Sequence, residues 1–184
     1  LADVRSSDLF ALWEAARGQG LATPNIGLLT DMVCCPGGDF CSLANAKSIP
    51  IALDITRRFD DLDYLHDIGD IEINMSGCIN ACGHHHVGNI GILGVDKDGS
   101  EWYQVSIGGA QGNKAALGKI IGPSFSAHQM PEVIDRIIQV YMRDRIEHER
   151  FIDTVQRIGI APFKEFVYAT PIKIEHPAGE DAYA

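Results

Sequence analysis

Four cysteines in two close pairs constrain this chain of 184 residues more than any other feature. Cys35 and Cys41 lie in CPGGDFC, and Cys78 and Cys82 lie in GCINACG. Glycine, proline and asparagine surround the pairs, a composition typical of loops. Thiolates are soft ligands, and four that converge suit an iron–sulfur cluster or a structural zinc ion. We therefore expect the fold to bring the two loops together at one metal centre.

The spacing within each pair bears on which metal group is bound. Structural zinc sites usually separate paired ligands by about two to four residues. Cys78 and Cys82 fit that range with three residues between them, whereas Cys35 and Cys41 are wider apart, with five. Each pair is also expected to join a strand to a helix, which turns backbone N–H groups toward a negatively charged cluster. These patterns favour a cluster, and a structural zinc-binding domain without a redox role remains the alternative.

The fifth cysteine, Cys34, directly precedes Cys35. If this segment is a strand, the two side chains point to opposite faces. An odd number of cysteines argues against a disulfide framework. We interpret Cys34 as a small buried apolar residue and not as a ligand.

Local sequence patterns predict an α+β fold, layered, with a mixed sheet flanked by helices. Apolar alternation or short apolar runs predict strands at 26–33, 71–75, 89–95 and 102–107. Apolar stripes and capping residues predict helices at 8–18, 42–47, 50–59, 126–141 and 151–158. Residues 96–99 predict a hairpin turn, and Ser126 with Gln129 predicts a capping box at the start of the long helix.

Composition excludes several classes of partner. The formal charge is −10, and the 15 lysines and arginines are scattered, so no surface that tracks nucleic-acid phosphates is expected. No apolar run approaches the roughly 20 residues that a membrane span requires. The first residues carry no basic stretch followed by an apolar one, and we expect a cytoplasmic protein.

Four segments of the chain resemble, in the right order, the nitrite and sulfite reductases that couple a 4Fe–4S cluster to sirohaem. The segments are CPGGDFCSLANAKSIPIA, SGCINACGHHHVGNIGILG, YQVSIGG and ERFIDTVQRIGIAPFKEFVYA. The resemblance extends to about Ala169 and corresponds to the C-terminal part of a bacterial nitrite/sulfite reductase haemoprotein. It implies a 4Fe–4S domain of that family's fold, preceded by the end of a ferredoxin-like half-domain.

The resemblance also implies roles for individual residues. Cys35, Cys41, Cys78 and Cys82 match the four ligands of the 4Fe–4S cluster. Cys82 matches the ligand shared with the sirohaem iron, and it is therefore the residue expected to take part in catalysis. Asn80 matches a residue that lies close to the sirohaem.

The same resemblance implies domain boundaries and partners. Residues 1–24 match the end of the ferredoxin-like half-domain, 25–169 the sirohaem and 4Fe–4S domain, and 170–184 a loose C-terminal tail. Because the chain starts at Leu1, we expect a fragment whose N-terminal part, absent here, supplies the arginines and lysines that bind sulfite or nitrite. A ferredoxin or a flavoprotein would donate the electrons. The fragment alone is expected to be inactive, and a cluster-only electron-transfer module without affinity for sirohaem is a further alternative.

Overall fold

The computed structural model describes residues 3–172, and the remainder of the predicted tail, 173–184, lies outside the described residues. The helices are α1 (Leu9–Gly18), α2 (Ile49–Arg58), α3 (Leu62–Ile68), α4 (Met130–Asp144), α5 (Phe151–Ile158) and α6 (Ala161–Tyr168). The strands are β1 (Val33–Cys34), β2 (Ile73–Ser76), β3 (Ile90–Lys97), β4 (Ser100–Ile107) and β5 (Lys119–Ile120).

The five strands form one mixed sheet in the order β1-β2-β3-β4-β5. Strands β1, β2 and β3 are parallel, whereas β4 runs antiparallel to both β3 and β5. The prediction of an α+β fold with a mixed sheet and packed helices is therefore confirmed. The parallel pairing of β1 with β2 matters most for the metal centre, because both strands end at a cysteine loop.

Helix α4 organises the helical layer. It contacts α2, α5 and α6, and seven of its residues are buried: Met130, Val133, Ile134, Ile137, Ile138, Val140 and Tyr141. The hydroxyl of Tyr141 lies 3.0 Å from the carbonyl oxygen of Ile68 and 2.8 Å from that of Glu149. This buried hydroxyl thereby links the end of α3 to the segment that leads into α5.

Two local predictions are confirmed in detail. The capping box is present, because the backbone N–H of Ser126 donates to the Gln129 side chain at 3.0 Å and the Ser126 side chain accepts the backbone N–H of Gln129. It caps a single 3-10 turn, Ala127–Gln129, that leads directly into α4. The β3–β4 hairpin closes with Lys97 opposite Ser100. Asp98 and Gly99 between them have φ of 54° and 79°, the left-handed pair that matches the twist of a hairpin.

Two predicted elements are wrong. The predicted strand at 26–33 is instead a series of turns, and only the two residues of β1 are extended. Asp31 is the physical reason, because its carboxylate accepts the N–H of Gly27 at 2.9 Å and holds the chain in a turn. The predicted helix at 42–47 is irregular, because the N–H groups of Asn45 and Ala46 bond to Gly77 across the fold and not to carbonyls of their own segment.

Sequence patterns also missed two short helices. The Asp61 carboxylate caps α3 by accepting the N–H groups of Asp63 and Tyr64. Helix α6 has a proline in its first turn and buries Phe163 and Val167, which are one helical turn apart.

Helix α1 forms as predicted but differs from the other helices. It buries none of its residues, and Leu9, Phe10 and Trp13 expose between 44% and 67% of their surface. Its apolar stripe is therefore largely without a partner in residues 3–172. Across that range, no helix has the length and apolar character needed to cross a membrane.

Candidate metal centre

The first cysteine loop begins where β1 leaves the sheet. Cys34 pairs with Met75 in the parallel ladder, and the N–H of Cys35 then donates to the carbonyl of Met75 at 3.1 Å. The sulfur of Cys35 accepts the backbone N–H of Gly77 at 3.0 Å. Strand pairing therefore places Cys35 beside the residue that precedes Cys78.

Cys41 is held by a tight turn of the same loop. Residues Gly37–Asp39 form one turn of 3-10 helix, and the N–H of Cys41 donates to the Gly37 carbonyl at 2.9 Å. Beyond Cys41, the N–H groups of Asn45 and Ala46 both donate to the carbonyl of Gly77, at 2.8 and 3.1 Å. Gly77 thus bonds the first loop through both its N–H and its carbonyl, and it directly precedes Cys78.

Glycines permit this close approach of the two loops. A Cβ added to Gly77 would lie 2.6 Å from the Ala46 carbonyl oxygen, and one added to Gly94 would lie 2.8 Å from the Gly77 carbonyl oxygen. Both separations are shorter than any real carbon–oxygen contact allows. The loops are therefore packed backbone against backbone at Gly77, and a side chain on Gly94 of β3 would press against both Gly77 and Ala46.

The second loop, which carries Cys78 and Cys82, differs from the sequence expectation. It joins β2 to β3 and not a strand to a helix, and residues 77–88 are a run of turns. The first loop does lead, through its 3-10 turn, to α2. In the second loop, Ala81 has φ of 56°, and the N–H of Gly83 donates to the Ser76 hydroxyl at 3.1 Å. The turn is fixed by this side chain and by the backbone of β2.

The four predicted ligands differ in exposure. Cys78 exposes 7% of its surface, Cys35 and Cys41 are half-buried, and Cys82 is exposed. Asn80, on the same turn as Cys82, is also exposed. All five cysteines have free thiols. The loop therefore presents Cys82 and Asn80 outward while the other sulfurs sit deeper.

No single-ion site forms from these side chains. Within residues 3–172, no group of three or more His, Cys, Asp or Glu side chains is arranged to hold one metal ion. A tetrahedral zinc site requires its ligands about 2.0 to 2.3 Å from one point. The zinc alternative therefore finds no support in this geometry.

Cys34 is the last residue of β1 and directly precedes the predicted ligand Cys35. Burial, and then the neighbouring Cys35 thiol, raise the pKa of the Cys34 thiol to about 11. It packs half-buried against the core, and its sulfur donates to the Cys35 carbonyl at 3.3 Å. A thiol that stays protonated is a poor metal ligand, because the thiolate is the form that binds.

The three histidines that follow the second cysteine pair, His84, His85 and His86, lie in turns. His84 has φ of 53°, and the rings of His85 and His86 pack edge to face with centroids 5.4 Å apart. Burial, and then His86, lower the pKa of His85, so its ring is neutral at neutral pH. Its Nδ1 atom is buried without a hydrogen-bond partner in residues 3–172.

Sequence reasoning missed one residue of the centre, Ser48. Its hydroxyl oxygen lies 3.6 Å from the Cys35 sulfur, although the two residues are 13 positions apart. A serine before a proline-containing first turn predicts a helix cap and gives no signal of contact with a cysteine.

A family model described as the nitrite and sulphite reductase 4Fe-4S domain matches residues 28–174. The chain is 32% identical over 142 residues to the NADPH sulfite reductase hemoprotein beta-component of Methylobacterium sp. strain 4-46, covering 76% of this chain and 23% of that protein. It is 30% identical over 137 residues to the ferredoxin sulfite reductase of Mycobacterium tuberculosis, and that match covers 69% of this chain and 24% of the relative. The chain thus spans about a quarter of the length of these relatives.

Solved structures agree with the sequence relatives. The Mycobacterium tuberculosis NirA protein superposes with a TM-score of 0.71 at 25% identity, over 88% of this chain and 31% of that one. Dissimilatory sulfite reductase I superposes with a TM-score of 0.62 at 15% identity, over 80% of this chain and 54% of that one. At this identity the superposition shows a similar fold and nothing more. The matched range contains both cysteine loops and the whole mixed sheet. The chain belongs to the nitrite and sulphite reductase 4Fe–4S domain family.

Proposed function

We propose that residues 25–169 bind a 4Fe–4S cluster through Cys35, Cys41, Cys78 and Cys82 and serve electron transfer within a sulfite or nitrite reductase. One observation carries the proposal. Gly77, next to Cys78, donates its N–H to the Cys35 sulfur and accepts two N–H groups from the segment after Cys41. These three hydrogen bonds, two between backbone groups and one to the Cys35 sulfur, join two cysteine loops that are far apart in sequence.

The residues present fit a cluster by their chemistry. Soft sulfur donors and a backbone N–H directed at one of them are the features that hold an iron–sulfur cluster and set its potential. Bound there, a cluster would accept and release one electron at a time. The protein contributes two rigid loops, shields Cys78 from water and keeps the competing thiol of Cys34 protonated.

Cys82 is proposed as the ligand shared with sirohaem, and Asn80 as its neighbour at that group. The exposure of both residues supports this assignment, because a second group can reach them only from outside the chain. Ile79, which follows Cys78, exposes 85% of its surface and could contact the flat face of the sirohaem ring. Cys82 would then be the residue through which electrons leave this domain.

The remaining parts of the proposal concern the longer enzyme. The relatives are a little over three times as long as this chain, and their names favour sulfite as the substrate. Those names include both NADPH and ferredoxin, and we propose a flavoprotein or a ferredoxin as the electron donor. The unpartnered apolar stripe of α1 supports residues 1–24 as the end of a half-domain completed by the N-terminal part of the polypeptide. We place the enzyme in the cytoplasm, without nucleic-acid or membrane partners.

Anaerobic reconstitution tests the proposed cluster. Purified chain treated with iron and sulfide is expected to turn brown and to hold about four iron and four sulfide per chain. Analysis of iron, sulfide and zinc in the desalted protein measures this. A colourless protein with one tightly held zinc per chain would contradict the proposal and restore the structural zinc alternative.

The isolated chain is expected not to reduce sulfite or nitrite even when the cluster is present. In this family the basic residues that bind the anion come from the N-terminal part, and no segment here resembles them. Oxidation of reduced methyl viologen by the reconstituted chain plus sirohaem should not exceed the rate given by sirohaem and substrate alone. Turnover clearly above that rate would show that these 184 residues contain a complete active site.

A further inference from the structure

Ser48 occupies a helix-cap position without capping the helix. It precedes α2, and a serine there normally accepts the N–H of the second or third helical residue. The second helical residue is Pro50, which has no N–H to give. The backbone of Ser48 is at φ −115° and ψ −44° instead of extended, and its side chain makes no cap bond. Its hydroxyl is therefore directed elsewhere.

The hydroxyl is directed at the Cys35 sulfur. Ser48 has no exposed surface, and its oxygen lies 3.6 Å from that sulfur. Among residues 3–172 the sulfur is the hydroxyl's one hydrogen-bond partner. Buried hydroxyl groups are almost always bonded, because an unsatisfied one costs roughly 1 to 3 kcal/mol. The contact thus satisfies a buried polar group that the helix leaves unused.

Two glycines make room for this hydroxyl. A Cβ added to Gly37 would lie 2.7 Å from the Ser48 oxygen, and one added to Gly77 would lie 3.0 Å from it. Any other residue at these two positions would compete for the space that the hydroxyl occupies. The serine is enclosed by the cysteine loops themselves and has no room to turn its oxygen toward solvent.

Metal binding fixes the direction of this hydrogen bond. With a free thiol, either Cys35 or Ser48 can be the donor. A cysteine that ligates iron has lost its proton, so the hydroxyl must donate. The Cys35 sulfur then accepts two bonds, from Ser48 and from the Gly77 N–H at 3.0 Å.

We propose that Ser48 is a positioning residue that donates a hydrogen bond to the Cys35 sulfur and thereby raises the reduction potential of the cluster. The inference rests on the proposed function. Reduction adds negative charge that is shared by the ligand sulfurs, and a hydrogen bond to a more negative acceptor is stronger. The bond therefore stabilises the reduced cluster more than the oxidised one.

The test compares reconstituted wild type with Ser48→Ala and with Ser124→Ala. Ser124 also has a buried hydroxyl, but it bonds no cysteine and has no partner in the described residues. Redox titration followed by visible absorption is expected to show a lower potential for Ser48→Ala. At a fixed ambient potential the ratio of reduced to oxidised cluster should fall about three- to tenfold, where tenfold corresponds to about 59 mV for one electron. Ser124→Ala should match the wild type.

A spectroscopic signature separates this role from a merely structural one. The resonance Raman bands of the iron–cysteine bonds should shift in D₂O for the wild type, and part of that shift should be missing in Ser48→Ala. An unchanged potential and an unchanged D₂O shift in Ser48→Ala would overturn the inference.

Two other outcomes are equally decisive. A folded Ser48→Ala chain that takes up no iron would also overturn it, because the serine would then be needed for assembly and not for tuning. Absence of a cluster from the wild type would instead contradict the proposed function itself.

Discussion

Serine in place of Cys35 is expected to abolish cluster binding, whereas serine in place of its neighbour Cys34 is expected to leave it intact. The Cys35 sulfur faces Gly77 and Ser48, between the two loops. A serine there offers a hard oxygen that binds iron far less well than a thiolate. The Cys34 sulfur points back at a carbonyl, and its raised pKa keeps it protonated.

This pair of variants is closely matched, because the two residues are adjacent and the substitution is the same. Iron per chain after reconstitution and desalting should fall at least tenfold in Cys35→Ser and stay near the wild-type value in Cys34→Ser. Circular dichroism of both proteins checks that they fold. Full iron content in Cys35→Ser, or its loss in Cys34→Ser, would refute the proposed ligand set.

Among the substitutions that add one methyl group at the metal centre, Gly83→Ala is expected to lower the stability of the fold most. Gly83 follows Cys82, and its added Cβ would run directly into the carbonyl oxygen of Met75. That carbonyl accepts the N–H of Cys35. One methyl group therefore displaces the second loop and weakens the bond that places the first.

We expect Gly83→Ala to lower the free energy of unfolding by about 3 kcal/mol or more. This is the upper end of the range that is usual when a substitution overpacks a protein interior. For a chain of this size, that corresponds to a fall in Tm of roughly 6 °C or more. Gly18→Ala is the control, since its Cβ would meet no atom within 4 Å and it lies at the end of α1. Urea unfolding of both variants measures the difference. Equal stability of the two would show that the loop around Gly83 adapts without cost.

Local chemistry in the sequence was sufficient for much of this protein. The cysteine pairs indicate a soft metal site, the Ser126–Gln129 capping box opens its helix, and the turn at Asp98 and Gly99 closes its hairpin. Each of these depends on residues close together in the chain. The interpretation of Cys34 as a residue other than a ligand also depends on local sequence, because it uses only the position of Cys34 beside Cys35.

Interactions between distant residues decided the rest. The segment after Cys41 has a sequence typical of a helix. Its Asn45 and Ala46 N–H groups nevertheless donate to the Gly77 carbonyl and not to carbonyls one helical turn earlier. Ser48 resembles a helix cap, yet the cysteine loops enclose its hydroxyl against Cys35. Periodicity and spacing cannot predict such bonds, because they form only after strands β1 and β2 pair. The sequence by itself determined which sulfurs are available, and the tertiary structure decided which backbone and hydroxyl groups surround them.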